Sequence, residues 1–126
     1  KSFGGRMSSQ AQARSAMPGV RGLVFVGFPL HAAGKPSDTR AAHLFEIGVP
    51  MLFLQGTRDA LAEPALLRPL LQRLGDRATL AWFEDADHAF HVRARSGRSD
   101  AETLAAMLDA TAAWMKPHAG TGAPPR

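Results

Sequence analysis

Three short, nearly unbroken apolar runs punctuate the chain, and stretches with helical spacing lie between them. The runs are Gly22 to Phe28 (GLVFVGF), Val49 to Gln55 (VPMLFLQ, closed by Gly56) and Ala78 to Phe83 (ATLAWF). Apolar runs of this length, bounded by Gly and Pro, suit strands covered on both faces, as in a parallel sheet. Glu63-Pro64 opens a helix with proline at its favoured first position. Leu66, Leu67, Leu70, Leu71 and Leu74 give that helix an apolar face, and Gly75 ends it. Pro69 removes a backbone donor inside the pattern, which predicts a kink or two short helices. Ser99-Asp100-Ala101-Glu102 is a capping box. It opens a helix with Leu104, Met107, Leu108, Thr111 and Met115 on one side, expected to end before Pro117. Arg6 to Met17, rich in small residues and stopped by Pro18-Gly19, reads as a closely packed helix, and Thr39 to Phe45 as a short helical patch. Strand and helix alternate as in βαβ units, so a parallel sheet with helices on its faces is expected.

Three strands make a thin sheet, and the first would present an unpaired edge. The chain also opens at Lys1-Ser2-Phe3-Gly4-Gly5, without Met, inside a glycine-flanked turn. Both features predict that further strands precede these residues. Residues 1–116 are therefore expected to form the C-terminal part of an α/β domain. Residues 117–126 (PHAGTGAPPR) bury too little to offset their ordering entropy and read as a flexible tail.

Composition narrows the chemistry. Among 126 residues there is no cysteine, which excludes disulfides, iron–sulfur clusters and thiolate zinc sites. A 45% hydrophobic and 21% charged chain is ordinary for a packed domain. No apolar run approaches the roughly 18 residues of a membrane span. The net charge of +4 comes from twelve arginines and three lysines against eleven acids. The arginines are scattered and build no basic stripe, so no nucleic-acid partner is expected. Gly34-Lys35-Pro36 lacks the glycine and the Ser/Thr of a phosphate-binding loop. His31, His88 and His91 have no ligand spacing for zinc, so neither metal nor cofactor is expected.

Reactive groups of an open parallel sheet gather at the carboxyl ends of its strands. Ser2 lies in a turn feeding a helix, Asp59 follows the second strand in Gln55-Gly56-Thr57-Arg58-Asp59, and His88 follows the third in Glu84-Asp85-Ala86-Asp87-His88. A serine hydroxyl needs an adjacent base to act as a nucleophile, and the base needs a carboxylate to fix its tautomer. Among rival residues, Ser8 and Ser9 fall inside a helix, Asp38 lies on a long loop, and Asp85 and Asp87 crowd His88. His43 sits on the helical patch and His118 in the tail, and His91 reads as a surface residue.

Lys1-Ser2-Phe3-Gly4-Gly5 resembles the nucleophile elbow G-x-S-x-G of the α/β-hydrolase superfamily, whose triad order is also Ser, Asp/Glu, His. Ser2-Phe3-Gly4-Gly5-Arg6-Met7, Gly27-Phe28-Pro29-Leu30-His31-Ala32-Ala33-Gly34-Lys35-Pro36 and Gln55-Gly56-Thr57-Arg58-Asp59 resemble the predicted-hydrolase branch related to dienelactone hydrolases. The likeness runs to Trp114, as the C-terminal half of an α/β-hydrolase fold.

The resemblance implies a serine hydrolase of carboxylic esters with Ser2, Asp59 and His88 as its triad. The backbone N–H of Phe3 would be one oxyanion donor, and a loop after an earlier strand would supply the second. The helix starting near Phe3 would point its positive end at the site. Phe28, Leu30, His31 and Leu61, beside Phe3, would line a pocket for a small ester-like substrate, although His31 reads more readily as a hydrogen-bonded loop histidine. Cytoplasmic residence is the expectation, and a homodimer is allowed. The alternative is a hydrolase-like interaction module, because a subunit of a mammalian histone-acetyltransferase complex carries a domain of this branch.

Overall fold

The computed structural model describes residues 1–35 and 37–121, the last five of these by backbone path alone. Strands β1 (Leu23–Val26), β2 (Met51–Gly56) and β3 (Ala78–Phe83) form one parallel sheet in the order β1-β2-β3. Helix α1 (Ser2–Arg14) precedes β1, and a 3₁₀ helix (Thr39–Glu46) links β1 to β2. Helix α2 (Pro64–Leu74) links β2 to β3, and α3 (Asp100–Thr121) follows β3. Among the described residues, no helix is long and apolar enough to cross a membrane.

The β2 run, apolar except for Gln55, takes the central place in the sheet, and every one of its residues is buried there. Alternate side chains serve the two faces. Phe25, Met51 and Phe53 pack on one face with Leu44 of the 3₁₀ helix and Leu67, Leu70, Leu71 and Leu74 of α2. Leu52 and Leu54 pack on the other with Phe83, Phe90 and Met107 of α3. Each such large side chain contributes about 1.5–3 kcal/mol when fully buried. Phe25, Phe28 and Phe53 form a ring cluster, with centroids 4.8 Å apart for Phe25–Phe53 and 5.9 Å for Phe28–Phe53.

Several element ends differ from those the pattern predicts. Helix α1 begins at Ser2 and closes at Arg14 instead of spanning 6–17, taking Gly4 and Gly5 into its first turns. Gly5 suits that position because a Cβ there would lie 3.3 Å from Cδ1 of Phe25, so its absence lets α1 approach the sheet. Strand β1 stops at Val26, before Phe28, because Gly27 turns the backbone to φ +72. The Phe28 N–H leaves the ladder and donates to Oε1 of Gln55 at 2.7 Å.

Helix α2 is one helix containing Pro69 instead of two short ones. The missing donor removes one bond, while four buried leucines hold the segment to the sheet. The capping box forms as expected: Ser99 N–H donates to the Glu102 carboxylate at 2.8 Å and Glu102 N–H to Ser99 Oγ at 3.1 Å. The backbone of α3 continues through position 117 to Thr121, past the proline expected to stop it. Proline's fixed φ is itself helical, so its cost in a helix is a lost bond and a local distortion, not an obligatory exit. Residues 122–126 of the expected tail lie outside the described residues.

Candidate active site

The turn after β3 folds back over the carboxyl ends of β1 and β2, and two glycines make the space for it. A Cβ on Gly56 would collide with the carbonyl of Ala86. One on Gly27 would sit 3.2 Å from Cε1 of His88 and 3.4 Å from its Nδ1. The turn is stitched to the loop after β2. Arg58 N–H donates to the Ala86 carbonyl at 2.9 Å, and Asp85 N–H to Thr57 Oγ1 at 2.8 Å. Asp87 closes the turn on itself, its Oδ1 accepting the N–H groups of Ala89 and His91 at 3.0 Å each. Phe90, at φ 65, drops its ring against Phe83, with centroids 6.0 Å apart.

These contacts bring the three sequence-predicted polar residues into one hydrogen-bonded chain. Ser2 Oγ lies 2.6 Å from Nε2 of His88, and Nδ1 of His88 lies 2.8 Å from Oδ2 of Asp59. A carboxylate can only accept, so Nδ1 carries the proton and Nε2 is left to accept the serine hydroxyl. The second oxygen of Asp59, Oδ1, accepts the N–H of Leu61 at 2.8 Å, so both carboxylate oxygens are engaged. The Asp59 side chain is wholly buried, whereas that of His88 is 27% exposed and reachable from outside.

Ser2 stands at φ 49, a left-handed conformation that L residues adopt at a cost of roughly 1–2 kcal/mol. It occupies the first turn of α1, where Phe3 and Gly4 N–H groups have no intrahelical acceptor. An anion beside Ser2 therefore meets free donors and the positive end of the helix. A hydroxyl so placed, next to an imidazole backed by a buried carboxylate, has a base within reach of its proton.

The expected pocket residues are placed differently. Phe28 and Leu30 have no exposed surface and belong to the core on the α2 side of the sheet, which corrects the expectation that they line a pocket. They turn inward because the chain leaves β1 at Gly27 and packs over Phe53. His31 is also buried, and both its ring nitrogens are engaged within the loops, at the Ala32 carbonyl and the Glu63 N–H. Leu61 is half-buried and Phe3 is 63% exposed. A hollow of about 350 Å³ is lined by Lys1, Val26, Ala89, Phe90, Leu104 and Met107 together with the His91–Asp100 pair.

The rival acids have other work. Asp85 is paired with Arg93, whose hydrogen bonds hold its carboxyl down to about 2. A second serine–histidine contact, which the sequence did not signal, joins α1 to the 3₁₀ helix: Ser9 Oγ is 2.6 Å from Nε2 of His43. Ser9 is fully buried, and burial holds the His43 imidazole below its ordinary 6.5. That ring faces the Arg40 backbone and the Arg6 charge, not a carboxylate, so the pair is a clip between helices.

Comparison with known proteins agrees with this architecture. The alpha/beta hydrolase domain family matches residues 1–116. Among solved structures, the chain is similar to an alpha-beta serine hydrolase homologue from Coxiella burnetii, with a TM-score of 0.56 and 21% identity. The match covers 71% of this chain and 39% of that one, so the chain spans well under half the length of its neighbour. At that identity the likeness speaks to the fold alone. The family match, the parallel sheet with helices on both faces and the helix opening at Ser2 lead to one assignment: the chain belongs to the alpha/beta hydrolase family.

Proposed function

We propose that these residues form the C-terminal part of a serine hydrolase that cleaves small carboxylic esters through an acyl-enzyme. The observation that carries the reading is the hydrogen-bonded chain from Ser2 through His88 to Asp59. Ser2 Oγ attacks the ester carbonyl carbon while its proton passes to Nε2 of His88. The C–O bond to the alcohol then breaks, and His88 returns that proton to the departing oxygen. Water repeats the sequence against the acyl group, giving the acid and free Ser2. Asp59 holds the ring by Nδ1 and stabilises the imidazolium formed in each half.

The oxyanion of each tetrahedral intermediate is met by the Phe3 N–H. A second donor belongs to the part of the family fold outside these residues. One such donor is worth about 2.7–4 kcal/mol in the transition state, so residues 1–126 alone are expected to turn over esters poorly.

The test is turnover of p-nitrophenyl acetate and butyrate by the full-length protein. Wild type is expected to hydrolyse them with a burst of p-nitrophenol, and Ser2→Ala to fall to the background rate. A folded wild-type protein that neither turns over nor shows a burst, but captures a stable protein partner, overturns the enzyme reading in favour of an interaction module.

A further inference from the structure

His31 is buried to within 2% of its surface, and no step of the proposed reaction uses it. Its surroundings fix its chemistry. Nδ1 lies 2.9 Å from the carbonyl oxygen of Ala32, which can only accept, so Nδ1 carries the proton. Nε2 lies 2.9 Å from the backbone nitrogen of Glu63, which can only donate, so Nε2 is the acceptor. The ring is therefore neutral and held in one tautomer. The backbone makes a third tie, from the His31 N–H to the Leu61 carbonyl at 2.9 Å.

The two ties that cross to the neighbouring loop land on the two successive peptide groups that flank Ala62. Leu61 and Glu63 belong to the turn between Asp59 and helix α2. The Leu61 N–H in that turn holds Oδ1 of Asp59 at 2.8 Å. With Oδ1 so fixed, the carboxylate has only Oδ2 to present to His88. The turn is otherwise closed by weaker local bonds, such as Ala62 N–H to the Asp59 carbonyl at 3.3 Å.

We propose that His31 is a positioning residue: by accepting the Glu63 N–H and tethering Leu61, it holds the 59–63 turn so that Asp59 aims Oδ2 at His88. The inference rests on the reading of Ser2, His88 and Asp59 as the reacting chain. His31 touches no reacting atom and acts only through the turn.

The experiment compares two amides in the full-length protein. In His31→Gln the side-chain oxygen reaches the place of Nε2 and keeps an acceptor for the Glu63 N–H. In His31→Asn the shorter side chain stops near the place of Nδ1 and leaves that N–H unmet. Asn is expected to lower kcat roughly 10- to 100-fold with KM within twofold, since a displacement approaching 1 Å at the reacting groups costs about that factor. Gln is expected to stay within about threefold of wild type.

The second readout is the downfield proton NMR signal of His88 Nδ1–H on Asp59, recorded well below each variant's unfolding temperature. It is expected to persist in Gln and to weaken or shift upfield in Asn. Equal kcat and equal NMR signals in the two variants overturn the proposal, as does a His31→Asn loss confined to thermal stability. Ser2→Ala is the control: if it is inactive while both His31 variants match wild type, only the positioning role falls. If Ser2→Ala retains wild-type turnover, the reading of the reacting chain falls first and the His31 inference with it.

Discussion

Gly27→Ala probes how the fold seats His88, and its consequence follows from the backbone and the ring together. Gly27 sits at φ +72, where an alanine costs roughly 1–2 kcal/mol through its Cβ. The added carbon would also stand 3.2 Å from Cε1, 3.3 Å from the carbonyl oxygen and 3.4 Å from Nδ1 of His88. Ordinary contact for such atoms begins near 3.5 Å, so His88 must yield by a few tenths of an ångström. It cannot yield toward Ser2, whose Oγ is already 2.6 Å from Nε2, so the ring moves off one of its two partners. We therefore expect two separable effects.

Urea denaturation should show a stability loss of about 1–2 kcal/mol with an unchanged m-value. Ester turnover measured far below the unfolding midpoint should fall by roughly tenfold, the part of a 1 Å misplacement penalty that a smaller shift exacts. A variant that loses stability but keeps full kcat shows that the ring does not rest on Gly27 as described. One that keeps both refutes the backbone argument as well.

Three further outcomes follow from packing, hydrogen bonding and charge. Phe53→Ala empties the centre of the three-ring cluster on the α2 face, and chemical denaturation should register a loss of about 3–5 kcal/mol. Gln55→Leu leaves the buried Phe28 N–H without its acceptor and should cost about 1–3 kcal/mol by the same assay. His91 Nδ1 is 2.7 Å from Oδ2 of Asp100, and that carboxylate raises the imidazole above its ordinary 6.5. The Val92 N–H and then His91 lower Asp100 below 3.8.

The imidazole's share of stability is full below 6.5 and lost as pH rises through its raised value. The carboxylate's share is present above 3.8 and lost as pH falls through its lowered value. Denaturation midpoints of wild type and His91→Gln should thus differ more at pH 5 than at pH 9. The gap should shrink in high salt, because both groups are exposed.

Much of the sheet could be read from the chain because its signals are local. Ala78–Phe83 and Pro64–Leu74 fall where the apolar run and the proline–glycine punctuation put them. β2 is trimmed by two residues at Val49-Pro50. That the side chains of Ser2, Asp59 and His88 meet was legible for a different reason: each follows a strand end or lies in a turn, and their order is itself informative.

What stayed hidden depends on which segments meet in space. Nothing in Gly27 announces that the ring of a residue 61 positions later will lie on it. Ser9 and His43 are 34 positions apart and meet only because α1 packs on the 3₁₀ helix. Phe28 and Leu30 look like pocket residues on a loop, but the left-handed turn at Gly27 sends them into the core. Of the two outcomes that Pro69 allowed, the split into two short helices did not occur, since α2 runs through it as one helix.

The most direct test of the proposed chemistry is covalent. Full-length protein is treated with a fluorophosphonate, digested and mapped by mass spectrometry. The account predicts a phosphonyl adduct on Ser2, absent in Ser2→Ala and formed far more slowly in His88→Ala. A folded wild-type sample that stays unmodified, or carries its adduct on another residue such as Ser9, would contradict it.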